Sequence, residues 1–444
     1  MKNQLKLVAI LFICCLLLAG CSVAPASKSK GGATETKGDQ LTWNSKQDLK
    51  GQTITLLWSD TSGANGPQAQ LLKEFTKETG IKVNELGVNY NDVFGKVTQA
   101  ALSNSSDIDL AEMDTIWAGQ YYEGNIAVDL TKIVPDSLKK QFTNSSISSV
   151  TYNDHLVAMP WYSSTKHFYW NKKLLAEVGV TSPPKTWDDF ETVSNKLKAK
   201  GIMASGWSWK QAESLNCDYV SLVYAFGGQF FDSNGKPVFN QGGGLKALEY
   251  MVNLLKTDKT VAPGSLQWDE NDVMNNFAAG KIAMMTNWEG AYPKLNDPKQ
   301  SSIVGQSDVG LMPGEGDVVS SAVTGSEGIA IMQSSKHKQA ALEFLKWLAS
   351  KKIQIEQFQK VGSYPALQTA YSDPSLKASD STHTIDKYAA QFTYGHNRPN
   401  APGYVKWADI LSAQLHDALL GQVSPQDALD KAAADISKAI QDAK

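Results

Sequence analysis

The sequence predicts a mixed α/β fold, and three observations support that class. Apolar runs rich in β-branched residues alternate along the chain with amphipathic segments at helical spacing, as in strands joined by helices. The chain has 444 residues, which is enough for two domains. Beyond residue 21 the only cysteine is Cys217, so an intrachain disulfide there is excluded. The fold must therefore rest on apolar packing.

The first part of the fold is predicted as three strands and the two helices between them, at 52–58, 66–80, 81–86, 90–104 and 108–114. In open α/β sheets, ligands bind outside the carboxyl ends of the strands. The loops at 58–66 and 114–117 follow the first and third strands at that edge. The sequence therefore indicates a ligand site there.

The rest of the chain continues the alternation, and the segment 156–160 could cross between domains. The helix that follows Thr186 has this residue as its N-cap and Asp189 in the capping-box position. A hairpin is predicted to turn at Asn234-Gly235; its Asp/Asn alternation mimics part of a calcium loop but lacks the later Glu, so no metal is expected. The other predicted elements are a strand at 168–171, helices at 171–179, 242–259 and 269–281, a strand at 282–288, a helical region at 334–362 and a helix at 424–440.

The N-terminus has the composition of an export signal. Lys2 and Lys6 precede an apolar run that is shorter than the ~20 residues of a membrane-spanning helix. The run ends in LAGC at residues 18–21, which resembles a bacterial lipobox. The resemblance implies a signal peptide at 1–20, a lipidated, palmitate-bearing Cys21, and a flexible, lipid-anchored linker at 21–49. The alternative is an ordinary signal peptide with a chance cysteine.

The composition narrows the function classes. The formal net charge of −3 argues against nucleic-acid binding, which requires a basic surface. Twelve tryptophans and fifteen tyrosines could supply flat faces for sugar rings, although core packing explains at least half of them.

No enzyme motif is present in the sequence. It lacks G-x-S-x-G, H-E-x-x-H, C-x-x-C, a Walker loop and G-x-G-x-x-G, and its six histidines have no metal-ligand spacing. No cofactor is therefore expected. A glycosidase needs two carboxylates that face a cleft, and this alternative stays open. The candidate carboxylates are Asp60, Asp114, Glu213, Glu289 and Glu327.

Several motifs occur in a recognisable order: EMDTIWAGQ at 112–120, PPKTWDDF at 183–190, GKIAMMTNW at 280–288 and RPNAPGY at 398–404. Together they resemble the extracellular solute-binding proteins of sugar ABC transporters, the maltose- and trehalose-binding group. The resemblance covers nearly all of residues 50–440 and rests on the ordered set, because no single motif is decisive.

The resemblance implies a two-lobed, periplasmic-binding-protein-like α/β fold, with a hinge of a few strands and the ligand in the interlobe cleft. The transmembrane subunits of an ABC permease would read the closure of the lobes. We expect lobe 1 at 50–158 plus 292–333 and lobe 2 at 159–291 plus 334–444. A monomer is expected.

The same resemblance assigns ligand contacts. Asp114 would accept sugar hydroxyls, although it could also cap the helix that follows it. Trp288 would stack on a sugar, with core packing as the alternative. Tyr162 would line the cleft, with Trp161 as its competitor. Ser164 stands where the family has an Asp, which puts the same sugar preference in doubt.

Arg398 is the only arginine in the chain and falls on the family's arginine in R-P-x-x-P-x-Y. A guanidinium is a planar fork of donors that can grip paired hydroxyls, whereas lysine is a point charge. Arg398 is therefore a predicted ligand contact. The alternative is a structural bond between loop carbonyls.

The remaining candidates are less specific. Trp207 and Trp209 alternate, so on a strand they share one face, and either both are core or both line the cleft. Glu327 stands at the family's tryptophan position, and Tyr364 is a candidate for the rim. The other ligand candidates are Asp60 and Asn65 in the first loop, Tyr90 after the second strand and Trp117 in the EMDTIWAGQ motif.

These features predict a membrane-tethered receptor of an ABC importer that binds a neutral di- or oligosaccharide and breaks no bond. Lipidation of such a receptor suits a Gram-positive cell, which has no outer membrane to retain it. A lipid-anchored polysaccharide-degrading enzyme is the alternative from another class. A surface adhesin is a third option, but the repeats expected of one are not visible.

Overall fold

The computed structural model describes residues 41–59, 66–401 and 403–442. The predicted signal peptide, the lipidation site Cys21 and most of the linker lie outside the described residues, as do Asp60 and Asn65. The described end of the predicted linker is packed rather than flexible, because Trp43 lies against the core and Leu49 is buried in it. Within the described part, no helix has both the length and the apolar character needed to cross a membrane.

The strands are, in chain order, β1 Thr53–Trp58, β2 Lys82–Gly87, β3 Leu110–Asp114, β4 Thr151–Tyr152, β5 His155–Leu156, β6 Met159–Tyr162, β7 Lys166–Asn171, β8 Ser205–Gly206, β9 Met284–Trp288, β10 Ser307–Gly310, β11 Ala322–Val323, β12 Glu327–Ile331 and β13 Gly395–His396.

The helices are, in chain order, α1 Pro67–Thr79, α2 Tyr90–Leu102, α3 Ala118–Glu123, α4 Asp136–Lys139, α5 Asn144–Ser149, α6 Lys172–Ala176, α7 Trp187–Ala199, α8 Glu213–Ala225, α9 Gly243–Val252, α10 Glu270–Ala278, α11 Ala291–Leu295, α12 Lys338–Leu348, α13 Lys351–Val361, α14 Pro374–Ser379, α15 Ile385–Phe392, α16 Tyr404–Leu420 and α17 Pro425–Asp442.

A five-stranded sheet in the order β2-β1-β3-β12-β6 forms the first half of the molecule. Strand β1 pairs in parallel with β2 and β3, which confirms the predicted β-α-β-α-β unit. Strand β12 is antiparallel to β3 and places Glu327 opposite Asp114. A register shift next to Glu327 leaves Trp161 of β6 without a direct partner, so Tyr162 pairs with Glu327.

A four-stranded sheet in the order β10-β7-β9-β8 forms the second half. Strand β7 is antiparallel to both neighbours, β9 and β10, and all six of its residues are buried. The register places Lys166 opposite Trp288. The sheet therefore carries a buried lysine at the end where β9 stops.

The predicted helix ends are largely confirmed. Thr186 accepts from the Asp189 N–H in a capping box, and Ser424 accepts from the Asp427 N–H. The predicted helical region at 334–362 is two helices, because Ser350 is extended and caps α13. The turn at Asn234-Gly235 is confirmed, but its arms form a single bridge rather than a hairpin of strands.

The chain crosses between the sheets later than predicted. Residues 156–160 end β5, which pairs with β4, and begin β6 of the first sheet, so the crossing follows Tyr162 at 163–165. The chain returns from β10 to β12 through 311–326, and this segment lies beside the first crossing. The Gly325 N–H donates to the Ser164 carbonyl at 3.0 Å.

Two segments contact the half of the molecule opposite to the lobe predicted for them. The other lobe ranges stay a prediction. Strand β10, placed in lobe 1, pairs with β7 of the second sheet. Helices α12 and α13, placed in lobe 2, pack against β12 and α1 of the first half. Both departures arise from pairing between distant parts of the chain.

Buried hydroxyl groups tie the two crossings together. The Thr324 hydroxyl is fully buried and donates to the Ser164 carbonyl at 2.9 Å. It also lies 2.8 Å from the Ser326 hydroxyl, which in turn accepts from the Ser164 N–H. The connection between the sheets is therefore held by polar contacts as well as packing.

Replacing Thr324 by Val keeps the shape of the side chain and removes its hydroxyl. We expect the free energy of unfolding to fall by about 1–3 kcal/mol, because buried partners lose a hydrogen bond. Urea denaturation measures the change. Thr369→Val, at an exposed position, is the control and should alter stability by less than about 0.5 kcal/mol; equal effects of the two changes would contradict the role of Thr324.

Candidate functional site

Asp114 ends β3 at the sheet edge where the sequence predicted a ligand site. Its side chain is 2% exposed and does not cap the turn that follows. One carboxylate oxygen accepts from Arg398 at 2.6 Å and the other accepts from the Tyr90 hydroxyl at 2.5 Å. The capping alternative is therefore wrong, because both oxygens are engaged elsewhere.

Arg398 joins Asp114 to a carboxylate of the second half. Its Nη2 donates to Asp114 and its Nη1 donates to Glu213 at 3.1 Å. Burial alone would lower the pKa of Arg398, but the nearby carboxylates Asp114 and Glu213 raise it well above the usual value. Its Nε is buried and has no hydrogen-bond partner among the described residues. The guanidinium thus stays charged, and its Nε–H is not used in a hydrogen bond to another described residue.

Glu213 is the first residue of α8, and its carboxylate collects several donors. Tyr404 donates to the oxygen that Arg398 also contacts, at 2.6 Å, and Asn216 donates to the other oxygen at 3.1 Å. Glu213 therefore connects Arg398 to α16 and to the first turn of α8.

Two asparagines fix the segment that carries Arg398. Asn397 donates to the Ser148 carbonyl at 2.7 Å, and Asn400 donates to the Thr151 carbonyl at 3.3 Å. These acceptors belong to α5 and β4, on the side of the first sheet. The backbone on both sides of Arg398 is therefore bound to the half of the molecule that contains Asp114.

Three carboxyl groups lie on the β3–β12 surface near this bridge. Glu112 is fully buried, and Glu327 is 8% exposed. The Glu112 carboxylate accepts from Ser59 at both oxygens, from its N–H at 2.5 Å and its hydroxyl at 2.9 Å. Burial and then the adjacent Glu112 hold the pKa of Glu327 well above its usual value. Glu327 is therefore harder to ionise than an ordinary glutamate.

Tyr162, rather than Trp161, is the aromatic residue of β6 that faces these carboxyl groups. Its hydroxyl hydrogen-bonds Glu327, and its ring is partly exposed. Burial and then Glu327 raise the pKa of Tyr162. Trp161 instead stacks on Trp58 with ring centroids 5.2 Å apart.

Trp288 ends β9 and is partly exposed. The ammonium of Lys166 lies 5.6 Å from its ring centroid, within cation–π range. Lys166 itself is fully buried and pairs with Asp218 at 2.8 Å. A Cβ on Gly325 would lie 2.9 Å from the Trp288 ring, so only glycine permits this close approach.

Ser164 and Glu289 meet beside Trp288. The Ser164 hydroxyl donates to the Glu289 carboxylate at 3.1 Å. Burial raises the pKa of Glu289 to about 7. Ser164 is therefore bound to a titratable group of the second half.

Tyr90 and Trp117 form an aromatic wall beside Asp114. Their rings stack with centroids 5.3 Å apart. Trp117 is 3% exposed, whereas Tyr90 is 38% exposed with its hydroxyl on Asp114. Tyr90 thus presents a ring face next to the carboxylate.

Three predicted ligand contacts lie in the core. Trp207 and Trp209 are at most 2% exposed and stack on each other at 5.3 Å, and Trp207 also packs on Trp187. Tyr364 is 6% exposed and packs on Tyr388 at 4.9 Å rather than at a rim. The spacing of Trp207 and Trp209 in the sequence could not distinguish a place in the core from one in the cleft. Their burial follows from ring contacts with residues that are distant in sequence, such as Trp187 of α7.

Sequence reasoning missed Glu112, Tyr404 and Lys166. Glu112 had one signal, a charged residue inside an otherwise apolar strand. Tyr404 and Lys166 acquire their partners only through contacts between distant segments.

Among the described residues, no group of His, Cys, Asp and Glu could hold a metal ion.

A cavity of about 620 Å³ opens beside the Arg398 segment. Tyr152 and Asn153 of the β4–β5 turn line one part, and Tyr224, Ile440 and residues 229–235 and 397–401 line the rest. Arg398 therefore borders open space as well as its two carboxylates.

Comparison with known proteins defines the class. A model of the bacterial extracellular solute-binding protein family matches residues 60–355, and the chain belongs to that family. A "probable amino-acid ABC transporter periplasmic-binding protein" of Sinorhizobium fredii is 25% identical over 335 residues, covering 73% of this chain and 75% of that protein. The sn-glycerol-3-phosphate-binding periplasmic protein of Escherichia coli is 27% identical over 334 residues, covering 70% and 72%.

Solved structures agree on the fold. Maltose-bound MalE3 of T. maritima has a TM-score of 0.73 and 26% identity, and the match covers 87% of this chain and 99% of that one. A solute-binding protein of Agrobacterium radiobacter in complex with ribitol has a TM-score of 0.72 and 27% identity, covering 88% and 100%. The two-lobed periplasmic-binding-protein fold and the predicted family are confirmed.

Replacing Arg398 by Met should lower the free energy of unfolding by about 3–5 kcal/mol, because Asp114 would be left buried without its cation. Adding Asp114→Asn should cost less than the sum of the two single changes, since the pair acts as a unit. Urea denaturation of the four proteins in this cycle measures both effects. Strict additivity would contradict the ion pair.

Glu289→Gln should change how stability depends on pH. The native carboxyl, with a pKa of about 7 against an ordinary 4.5, binds more protons than the unfolded one between these values. Stability of the unmodified protein therefore falls as pH rises through this window, by about 3 kcal/mol at most, and the variant lacks this fall. The urea midpoints of unfolding at pH 5 and pH 8 measure this pH dependence, and Glu343→Gln is the control. If the midpoints of the unmodified protein, Glu289→Gln and Glu343→Gln changed equally with pH, the raised pKa of Glu289 would be contradicted.

Proposed function

We propose that the protein is the substrate-binding lipoprotein of an ABC importer, which captures a di- or oligosaccharide in the interlobe cleft and delivers it to the membrane permease. The observation that carries the proposal is the Arg398 bridge between Asp114 and Glu213. It brings a charged, planar donor and two acceptors from both halves to one place. These are the groups that bind sugar hydroxyls.

The charges favour a neutral ligand over an anion. Both terminal nitrogens of Arg398 already contact carboxylates, and Lys166 is paired with Asp218. A phosphate or carboxylate ligand would meet Asp114 and Glu327 without an unpaired cation among the described residues near them. Sugars avoid this conflict, because their hydroxyls both donate and accept.

Aromatic faces at the same place support a sugar. Trp288 and Tyr90 both present exposed ring surface, and Tyr162 pairs with Glu327 of β12. Aromatic rings pack against the apolar C–H faces of sugar rings. The proposed ligand contacts are Asp114, Trp288, Arg398, Tyr162, Ser164, Tyr90, Trp117 and Glu327, with Asp60 and Asn65 as candidates from the loop outside the described residues.

The proposal includes the setting of the receptor. Cys21 carries the lipid anchor, and the linker that follows it lets a monomeric receptor reach its permease on the outer face of the cell membrane of a Gram-positive cell. No bond of the ligand is broken.

A thermal-shift panel tests the ligand class. The sugars are maltose, maltotriose, trehalose, cellobiose and raffinose; the competitors are ribitol, sn-glycerol-3-phosphate and an amino-acid mixture. We expect a sugar to raise the melting temperature, since a ligand at a hundredfold excess over its Kd stabilises by ~2.7 kcal/mol. A shift with the competitors alone would contradict the sugar class, and release of reducing ends would contradict a non-enzymatic receptor.

Arg398→Lys tests the guanidinium itself. For the panel sugar with the largest shift, we expect affinity to fall by at least about tenfold, because a lysine cannot donate from a planar fork to several oxygens. Isothermal titration calorimetry measures it, and Lys346→Arg, at a partly exposed helix position, is the control. Unchanged affinity for Arg398→Lys would mean that Arg398 has only a structural role.

A further inference from the structure

Lys166 is a buried lysine that lies over the indole ring of Trp288. The register of β7 and β9 places the two residues opposite each other, and the ammonium lies 5.6 Å from the centroid of the ring. The side chain of Lys166 has no exposed surface, whereas Trp288 is partly exposed. The ring face that the ammonium contacts is therefore covered, and the exposed surface of the indole lies on another side.

The position of the ammonium is fixed by groups from other elements. Lys166 donates to Asp218 of α8 at 2.8 Å and to the Ser208 hydroxyl at 3.2 Å, and Glu270 of α10 lies 3.7 Å away. Asp218 is itself held, because it accepts from the hydroxyl of Ser208 at 2.8 Å and from that of Thr286 at 3.1 Å. The ammonium therefore has little freedom to move relative to β9.

Trp288 is also held at its backbone and at one edge of its ring. Its N–H donates to the Asn287 side chain at 2.9 Å, and its carbonyl accepts from the Tyr169 hydroxyl at 2.7 Å. The return crossing passes directly against the ring at Gly325, where a Cβ would lie 2.9 Å from the indole. These contacts fix the backbone and one edge of the ring, and Lys166 supplies the contact over its face.

Stability alone does not explain the buried ion pair of Lys166 and Asp218. Moving two charges out of water costs about as much as their attraction returns, so neutral residues of similar size are often equally stable at such positions. A neutral side chain could fill the same space. A cation is in addition attracted electrostatically to the face of an aromatic ring. The contact with Trp288 therefore gives the charge of Lys166 a role in the site.

We propose that Lys166 is a positioning residue for sugar binding: its ammonium, held by Asp218, fixes the indole of Trp288 in the orientation that presents its exposed surface to the ligand. This inference rests on the proposed function, in which Trp288 packs against a sugar ring. Lys166 itself does not touch the ligand, because it has no exposed surface. Its effect on affinity therefore passes through Trp288.

The double change Lys166→Met with Asp218→Asn tests the positioning role, because it removes both charges and leaves neither residue as a buried ion without its partner. Calorimetric titration with the panel sugar of largest thermal shift measures affinity. We expect affinity to fall about threefold to tenfold, since the cation–π attraction that orients the ring is lost. The matched control is Lys431→Met with Asp435→Asn, which removes an exposed ion pair of α17 and should leave affinity unchanged.

A Trp288→Leu background separates positioning from a merely structural role. If Lys166 acts through Trp288, the double change should alter affinity by less than about twofold in that background, since there is no indole left to orient. A loss by the same factor with and without Trp288, or no loss in either background, would overturn the inference.

Fluorine NMR of the sugar-free protein labelled with 5-fluorotryptophan tests the ring itself. The Trp288 signal is the one that is missing from Trp288→Leu. We expect this signal to move when Lys166→Met and Asp218→Asn are introduced. The signal of Trp58 in the first half, assigned in the same way with Trp58→Phe, is the control and should stay in place. An unchanged Trp288 signal would overturn the inference.

A reciprocal measurement leaves the buried pair intact and so remains decisive if the double variant does not fold. In protein with carbon-13-labelled lysine, the Cε protons of Lys166 should carry a ring-current shift that disappears in Trp288→Leu. If no lysine signal moved in that variant, the inference would be overturned. If no panel sugar binds, the proposed function fails, whereas the two NMR measurements still decide whether Lys166 holds the indole.

Discussion

The ion pairs of Arg398 with Asp114 and Glu213 are the interaction on which the rest of the site depends. The two carboxylates come from different halves of the molecule, and one guanidinium satisfies both. A buried carboxylate without a cation is costly, so each position constrains the others. The guanidinium donates to the two acids from two different nitrogen atoms held in one plane, whereas a lysine would have to contact both from a single charged nitrogen.

The other charges of the site are neutralised locally. Lys166 is matched by Asp218 beneath Trp288, Glu112 is held by the donors of Ser59, and Glu327 and Glu289 have raised pKa values. The polar groups of the site are thus fixed in position by their partners. Little unpaired charge remains that could attract a charged ligand. This arrangement agrees with a receptor for a neutral sugar and gives Glu327, at a position where a tryptophan was expected from the resemblance, a polar rather than a stacking role.

Much of the fold could be predicted because its signals are local. The strand and helix pattern of residues 52–114, the capping box at Thr186 and the ordered motifs each depend on neighbouring residues. The lobe ranges depended on non-local pairing, and β10 and α12 therefore departed from them. In the site, Asp114 contacts Arg398 and Tyr162 pairs with Glu327, while their role and that of Trp288 as ligand contacts stay predictions. The burial of Trp207, Trp209 and Tyr364 and the proximity of Glu112 to Glu327 required knowledge of which strands and helices meet.

A crystal structure of the complex with the panel sugar of largest thermal shift would test whether Asp114, Arg398 and Trp288 bind the ligand. We expect the sugar between the two halves, with hydroxyls within hydrogen-bond distance of Asp114 and Arg398 and a ring face on Trp288. A sugar bound elsewhere, with none of these three residues in contact with it, would show that the Arg398 bridge is not a ligand site.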